Sequence, residues 1–514
     1  MNRLRQGMLL LQVGLLAACA VGPDYRRPTL PTIDHFARAE ASNTKVTPTV
    51  DAEFWQAFHD NQLTALVEQA LTTNNDLRTA LARYDGEDAL LRKTKFGYYP
   101  TVTMSGDTGH QKQSVDQTYG FPRSDNMHGA SVNAGWELDV FGEVRRDVEA
   151  HRAEAAARVE DLKALQISIV GQVANAYMDL RGTQERLRVA YENVDNQRET
   201  LRIVDTRRRA GRSSDFDFER ARAQFELTTS RVFALEAQIA VDEHRLAVLT
   251  GRPPESLIAE LDVPGPLPAL PAAVNPETPS ALLRRRPDVA AAEQRLHAAT
   301  ARIGVATADL FPRVSLAGVL GTFAFRSDDL FTGQRETSLL RLGIDWSFLD
   351  VGRVRARIEA SDAAAAGLLS QYQQTVLLAL EDTENALIRY ARARGEDEHL
   401  ERAAAESAHA AQLAREQLRV GSIGVYEVLD AERAQLQAQE AFAEGRTRSA
   451  VAAVILFKEF AGGWPQHVPA SASPSAGARR RQSEPFGDLE ETPKQRSSAT
   501  ASASRLPRAP RHLP

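Results

Sequence analysis

WELDVFGEVR, Trp136 to Arg145, reads as two structures joined end to end. Its first half alternates apolar and polar like a strand, and its second half is charged like the start of a helix. The join returns 210 residues on (346 less 136) as WSFLDVGRVR, Trp346 to Arg355. Two other landmarks keep nearly that offset. Tyr99-Pro100-Thr101-Val102 answers Phe311-Pro312-Arg313-Val314, and AGRSSDFDFERA (Ala210 to Ala221) answers VGSIGVYEVLDA (Val420 to Ala431). Shared order and spacing describe a duplicated half, each copy being too long for a solenoid unit. Each half has one grammar: a helix (Leu63 to Gly97, Ser280 to Leu310) stopped by a Pro, two strands, a very long helix, a turn and a second helix.

The strands alternate over about ten residues. Leu340, Leu342, Ile344, Trp346 and Phe348 are apolar, with Arg341, Gly343, Asp345 and Ser347 between them. Val132, Ala134, Trp136, Leu138 and Val140 alternate with Ser131, Asn133, Gly135, Glu137 and Asp139. A transmembrane barrel strand needs about 9–11 residues in this pattern. A half-buried strand of a soluble sandwich alternates identically, and the pattern alone favours that reading.

The N-terminus moves the balance towards an outer membrane. Arg3 and Arg5 precede an apolar run from Met8 to Ala18, too short to span a bilayer and fitting a signal peptide over 1–18. Leu16-Ala17-Ala18-Cys19 looks like a bacterial lipobox, with the chain's single cysteine as the lipidated thiol. Each buried acyl methylene adds about 0.8 kcal/mol to such an anchor. A mature N-terminal segment, 19–62, follows, and a Ser-, Ala-, Pro- and Arg-rich tail over 465–514 is expected to be disordered.

The helices carry the stronger signal. Val159, Leu162, Gln166, Ile169, Val173, Ala176, Leu180, Thr183, Leu187, Ala190, Val194, Gln197, Leu201 and Val204 step by three and four, eleven of the fourteen being apolar. The series from Leu369 through Tyr372, Val376 and Tyr390 to Ala414 repeats the pattern, which indicates coiled-coil packing. No proline falls between Gly142 and Arg209, so one helix can run about 100 Å, over three times a bilayer core of about 30 Å. Gly142 and Gly352 are expected to let the chain turn where it leaves the sheet. Four strands cannot close a membrane barrel, which takes about eight, and open edges are forbidden in lipid. The chain is therefore expected to oligomerise, pooling strands into a barrel and helices into a tube.

Charge and composition narrow the function. Of 514 residues, 62 are Lys or Arg and 68 Asp or Glu, a net charge of −6 that gives no field for nucleic acid. The eleven histidines are scattered, and no HExxH, Gly-rich phosphate loop or GxSxG occurs. No enzyme, metal or cofactor is expected, only a covalent lipid on Cys19. The first repeat is placed at 63–272, with strands at about 99–115 and 128–140 and helices at about 142–209 and 215–250. The second spans 273–464, with strands at about 311–326 and 337–350 and helices at about 352–419 and 425–460.

Over Cys19 to Trp464 the chain resembles the TolC-like outer membrane factors, specifically the NodT-type efflux lipoproteins of tripartite pumps. The resemblance rests on CAVGPDYRRP after the lipobox, on RRRPDVAAAEQRLHAATARIGVATADLFPRVSLAG (Arg284 to Gly318), and on FKEFAGGW (Phe457 to Trp464). It implies a homotrimer with a twelve-stranded transmembrane β-barrel in outer-membrane lipid, continued by a periplasmic α-helical barrel. It further implies a passive exit duct for toxic small molecules, served by a periplasmic adaptor (membrane fusion) protein and an inner-membrane RND-type transporter. The turns carrying Gly211 with Arg212, and Gly421 with Ser422, match the family's adaptor-contacting tips. Asp217, Glu427 and Asp430 match acidic positions at its periplasmic gate, although acids early in a helix also suit its dipole. Where the family often carries a basic residue, this chain has Ile423, which puts a salt-bridge lock there in doubt. Rival readings are the channel of a type I protein secretion system, a periplasmic adaptor, and an envelope coiled coil. Two hairpins per chain and the patterned strands count against the last two.

Overall fold

The computed structural model describes residues 20–29, 35–37, 53–117, 123–270 and 278–460. The signal peptide, Cys19, the end of FKEFAGGW beyond Phe460 and the 465–514 tail lie outside the described residues. The first half comprises α1 (Asn61–Thr73), α2 (Asn75–Lys95), β1 (Thr101–Lys112), β2 (Ser124–Leu138), α3 (Glu143–Arg209) and α4 (Asp215–Leu249). The second comprises α5 (Pro279–Arg285), α6 (Pro287–Ala308), β3 (Arg313–Ala324), β4 (Glu336–Asp345), α7 (Val351–Val420) and α8 (Val425–Phe460).

Both halves give their strands to one antiparallel sheet in the order β1-β2-β3-β4. Register sorts its side chains onto two faces. Met104 lies opposite Val132, and Val132 opposite Leu320; Trp136 lies opposite Leu316, and Leu316 opposite Leu342. The reverse face aligns Ser105 with Ser131 and Thr103 with Asn133, and Ser105 Oγ lies 2.8 Å from Ser131 Oγ. The apolar face is bare in a single chain: Met104 is 83% exposed, Leu340 78% and Ile344 66%. A contiguous apolar surface of this kind marks a membrane or partner contact. β1 and β4 are each paired on one side only. Among the described residues no helix is long and apolar enough to cross a membrane.

Below the sheet, α3 has 67 residues and α7 has 70, each about 100 Å long. The heptad positions face neighbouring helices: no member of either series is exposed, and Leu162, Val173, Val194, Tyr372, Val376 and Ala411 are among those fully buried. The main core sits partway along α3, where Phe54, Phe58 and Leu66 close over Val173, Tyr177 and Leu180, with Phe457 of α8 beside them. Residues 20–29 bind the halves together. Val21 N–H donates to the Phe141 carbonyl, Arg146 reaches Asp24 at 2.7 Å, and Tyr25 stacks on His297 of α6 at 4.4 Å.

The two strand-to-helix joins differ. In the first, Gly142 takes φ 87°, and the Asp139 carboxylate accepts from the Val144 and Arg145 N–H groups, capping α3. In the second the aspartate stands one residue nearer the glycine. Asp350 becomes the N-cap itself, and Gly352 falls inside the first turn of α7 without a positive φ. Gly352 therefore does not turn the chain as expected. Ala20 also packs where a Gly142 Cβ would stand, 2.7 Å away, so that glycine makes room for the N-terminal segment as well.

The helices expected over Leu63 to Gly97 and Ser280 to Leu310 are each broken. Asn74 is extended, ψ 131°; its Oδ1 accepts from the Asp76 and Leu77 N–H groups, and its Nδ2 donates to Leu249 at the end of α4. Pro287 pushes Arg286 into the extended region, ψ 121°. The Arg286 guanidinium then meets Asp288 at 2.9 Å and Glu459 of α8 at 2.6 Å. Burial opposes its charge, but the two carboxylates outweigh burial and raise its pKa. Within the RRRPDV segment this is the residue that locks the second half to its own final helix. Arg286→Gln would leave buried Glu459 with only Lys458 Nζ, at 3.5 Å. We expect it to cost about 3 kcal/mol, read as a lowered thermal midpoint, and Arg286→Met with Glu459→Met to restore most of the loss.

Candidate functional site

The ends of the long hairpins gather the residues of functional interest. Each first helix ends on a glycine in the left-handed region, Gly211 at φ 68° and Gly421 at φ 82°. In each turn the next residue's N–H closes on a carbonyl five residues back, Arg212 to Arg207 at 2.8 Å and Ser422 to Gln417 at 2.9 Å. This is the glycine-terminated helix end, used twice. Gly211, Arg212, Gly421 and Ser422 are all exposed.

Beneath the turns the two hairpins share one apolar cluster, with Val204 and Ala221 from the first and Leu418, Val428 and Leu429 from the second. Ile423 packs against this cluster, so an apolar contact stands where the resembled family often carries a basic residue. Arg207 makes the cross-tie: its Nη1 donates at 2.6 Å to the Leu418 carbonyl at the end of α7, which also accepts from the Gly421 N–H at 3.0 Å. The sequence reading missed Arg207. Its visible trace is the basic run Arg207-Arg208-Arg209 in the last helical turn. Arg220 also stacks over the Tyr426 ring at 4.4 Å, a second tie between the hairpins.

The three acidic positions have different surroundings. Asp217 closes a capping box with Ser214 at the start of α4, its Oδ2 taking the Ser214 hydroxyl at 2.8 Å and the Ser214 N–H at 3.1 Å. The Ser214 hydroxyl is the main cause of its lowered pKa, with Ser213 adding to it and partial burial opposing. Glu427 and Asp430 lie exposed on the first turns of α8, facing away from the apolar cluster, and Asp430 is paired with Arg433 one turn on. Asp217 is thus committed to a helix cap, whereas Glu427 is not tied down by any such cap.

A fourth acid, Glu432, escaped the sequence reading because it faces inward. It is 1% exposed. Thr200 Oγ1 of α3 donates to its Oε1 at 2.6 Å and Arg415 lies 3.4 Å away, but its Oε2 is buried with no hydrogen-bond partner. Both polar atoms of the neighbouring buried Gln197 also lack partners. Burial raises the Glu432 pKa, with Thr200 and Arg415 offsetting only part of that. Among the described residues no group of three or more His, Cys, Asp or Glu could hold a metal ion.

The chain belongs to the outer membrane efflux protein family, which matches residues 66–252 and 278–458, the two repeats. It is an outer-membrane channel protein that extends into the periplasm. It is 30% identical to outer membrane protein OprJ of Pseudomonas aeruginosa over 461 residues, covering 87% of this chain and 94% of that one. It is 29% identical to nodulation protein T of Rhizobium leguminosarum bv. trifolii, covering 82% and 89%. The solved outer-membrane channel OprN superposes with a TM-score of 0.81 at 37% identity, covering 87% of this chain and all of that one. The Campylobacter jejuni CmeC channel shares the fold, with a TM-score of 0.80 at 20% identity, covering 90% and 98%.

The raised pKa of Glu432 has a definite sign. A carboxyl whose folded pKa lies above its unfolded value is most favourable to folding below the unfolded value, about 4.3, and loses that as pH rises through the folded value. Glu432→Gln should therefore raise the thermal midpoint at pH 7.5, with the gain vanishing near pH 4. A gain independent of pH, or a loss at pH 7.5, would contradict this assignment.

Proposed function

We propose that three copies assemble an exit duct for drugs or other toxic small molecules. Each contributes four strands to a twelve-stranded barrel in the outer membrane and four long helices to a periplasmic tube. One observation carries the reading: a sheet with an exposed apolar face and both edges open, set directly on helices three bilayers long. In lipid those edges need partners, and further copies supply them. The polar face then lines the bore.

The exposed turns at Gly211, Arg212, Gly421 and Ser422 are the surface we assign to a periplasmic adaptor, which couples the duct to an inner-membrane transporter of the RND type. Lipidation of Cys19 adds an anchor to the membrane. Within the trimer, Glu427 and Asp430 form rings of three carboxylates that narrow the tube and favour cations. Asp217, whose Oδ2 is held in the cap, adds a third charge. Export of polypeptides is the second reading of such a duct. The Arg284–Gly318 segment favours small-molecule efflux, since it resembles the pump-associated branch.

Single-channel conductance in a planar bilayer tests the gate. The wild type should give a small, cation-preferring conductance, and Glu427→Ala with Asp430→Ala should raise it and weaken the preference. Unchanged conductance would move the gate elsewhere, and failure of a folded assembly to insert would remove the duct.

A further inference from the structure

Along α8 a groove opens between its two flanking helices. α7 packs on one side of α8 and α3 on the other, so this chain alone walls the groove and a neighbouring copy is not needed to complete it. Its volume is 690 Å³, within the range of about 300–1,000 Å³ that accommodates small organic ligands. The floor is apolar, formed by Ala386 of α7 and by Val451, Ala452 and Ile455 of α8.

The rim is cationic. Arg186, Arg389, Arg392 and Arg448 face only three carboxylates, Asp179, Glu396 and Glu444. The two glutamates are already engaged: Arg448 holds Glu396 at 2.9 Å and Glu444 at 3.8 Å, and Arg186 reaches Glu444 at 3.5 Å. Arg389 and Arg392 have no ion pair among the described residues, and Arg186 Nε is buried with no hydrogen-bond partner. Residues 389 and 392 stand three apart on one helix, so their guanidinium groups share a face. Paired guanidinium groups suit a planar carboxylate or a sulfonate, which they bind through charge-assisted hydrogen bonds.

We propose that this groove binds an amphipathic organic anion, its hydrocarbon or aromatic body on the Ala386–Val451–Ile455 floor and its single carboxylate or sulfonate on Arg389 and Arg392. The groove's side of the wall follows from α3. Tyr177 and Arg181 turn towards Gln62 and Val263, which cover that face. Gly182, about 100° round the helix from Arg181, packs on Thr447 of α8, and Arg186, about 140° round, opens on the groove away from that cover. In the assembled duct that side is the bore, and this placement rests on the exit-duct reading. The site would then hold amphipathic anions partway along the path.

Photolabelling of the full-length assembly in lipid nanodiscs with benzophenone-4-carboxylate, mapped by peptide mass spectrometry, tests the site. The expected result is saturable labelling of the groove segments of α3, α7 and α8. Labelling should fall about tenfold in Arg389→Ala with Arg392→Ala, persist in Arg389→Lys with Arg392→Lys, and be about tenfold weaker with the neutral benzophenone-4-carboxamide. Equal labelling by the amide, or no change in the double alanine variant, would overturn the proposal. Conductance of the same preparation separates the two readings. An assembly that conducts but takes no label ends this inference alone, while a folded assembly that takes label yet never inserts into the bilayer ends the duct and leaves the site.

Discussion

An unpaired strand edge cannot remain in a bilayer. Water is absent from the hydrocarbon, so each free N–H and C=O there costs several kcal/mol. This chain makes a four-stranded sheet with an apolar outer face and two open edges, β1 and β4. Its architecture answers that constraint. The duplication supplies four strands where one half would supply two, and the helices leave the sheet at its inner end, where they carry the wall beyond the membrane.

Apolar packing between the halves is supplemented by polar ties, most of them between distant segments of the chain. Arg286 joins α6 to the end of α8, Arg146 holds residues 21–24 against α3, and Arg207 spans the tips. Between the tips the packing is incompletely satisfied: Glu432 and Gln197 have buried polar atoms without partners. Buried polar atoms left without partners are costly, and they weaken the packing there.

Much of this was legible in the sequence because both regular structures have short periods. The alternation from Val132 to Leu138 and from Leu340 to Ile344 declared a two-faced sheet, and the three-four steps from Val159 to Val204 declared a packed helix face. The tip glycines were visible because a left-handed residue that ends a long helix is nearly always glycine. What escaped were features that periodicity does not encode. Asn74 breaks a helix whose apolar pattern continues past it, because its side chain caps one helix while reaching the end of another. Gly352 looked equivalent to Gly142, but a one-residue shift of the aspartate moved the cap and left the glycine inside the helix. Arg207 and Glu432 act through partners some 200 residues away, and Arg186 and Arg448 at the α8 groove through partners across a helix interface. Nothing local announces those partners.

The count of copies tests the account most directly. Native mass spectrometry of the protein extracted from outer membranes should give a mass three times that of one mature chain, with no stable single copy. A membrane-inserted monomer would contradict the claim that β1 and β4 need partners from other chains. A stable dimer would keep the edge constraint but contradict the twelve-stranded barrel.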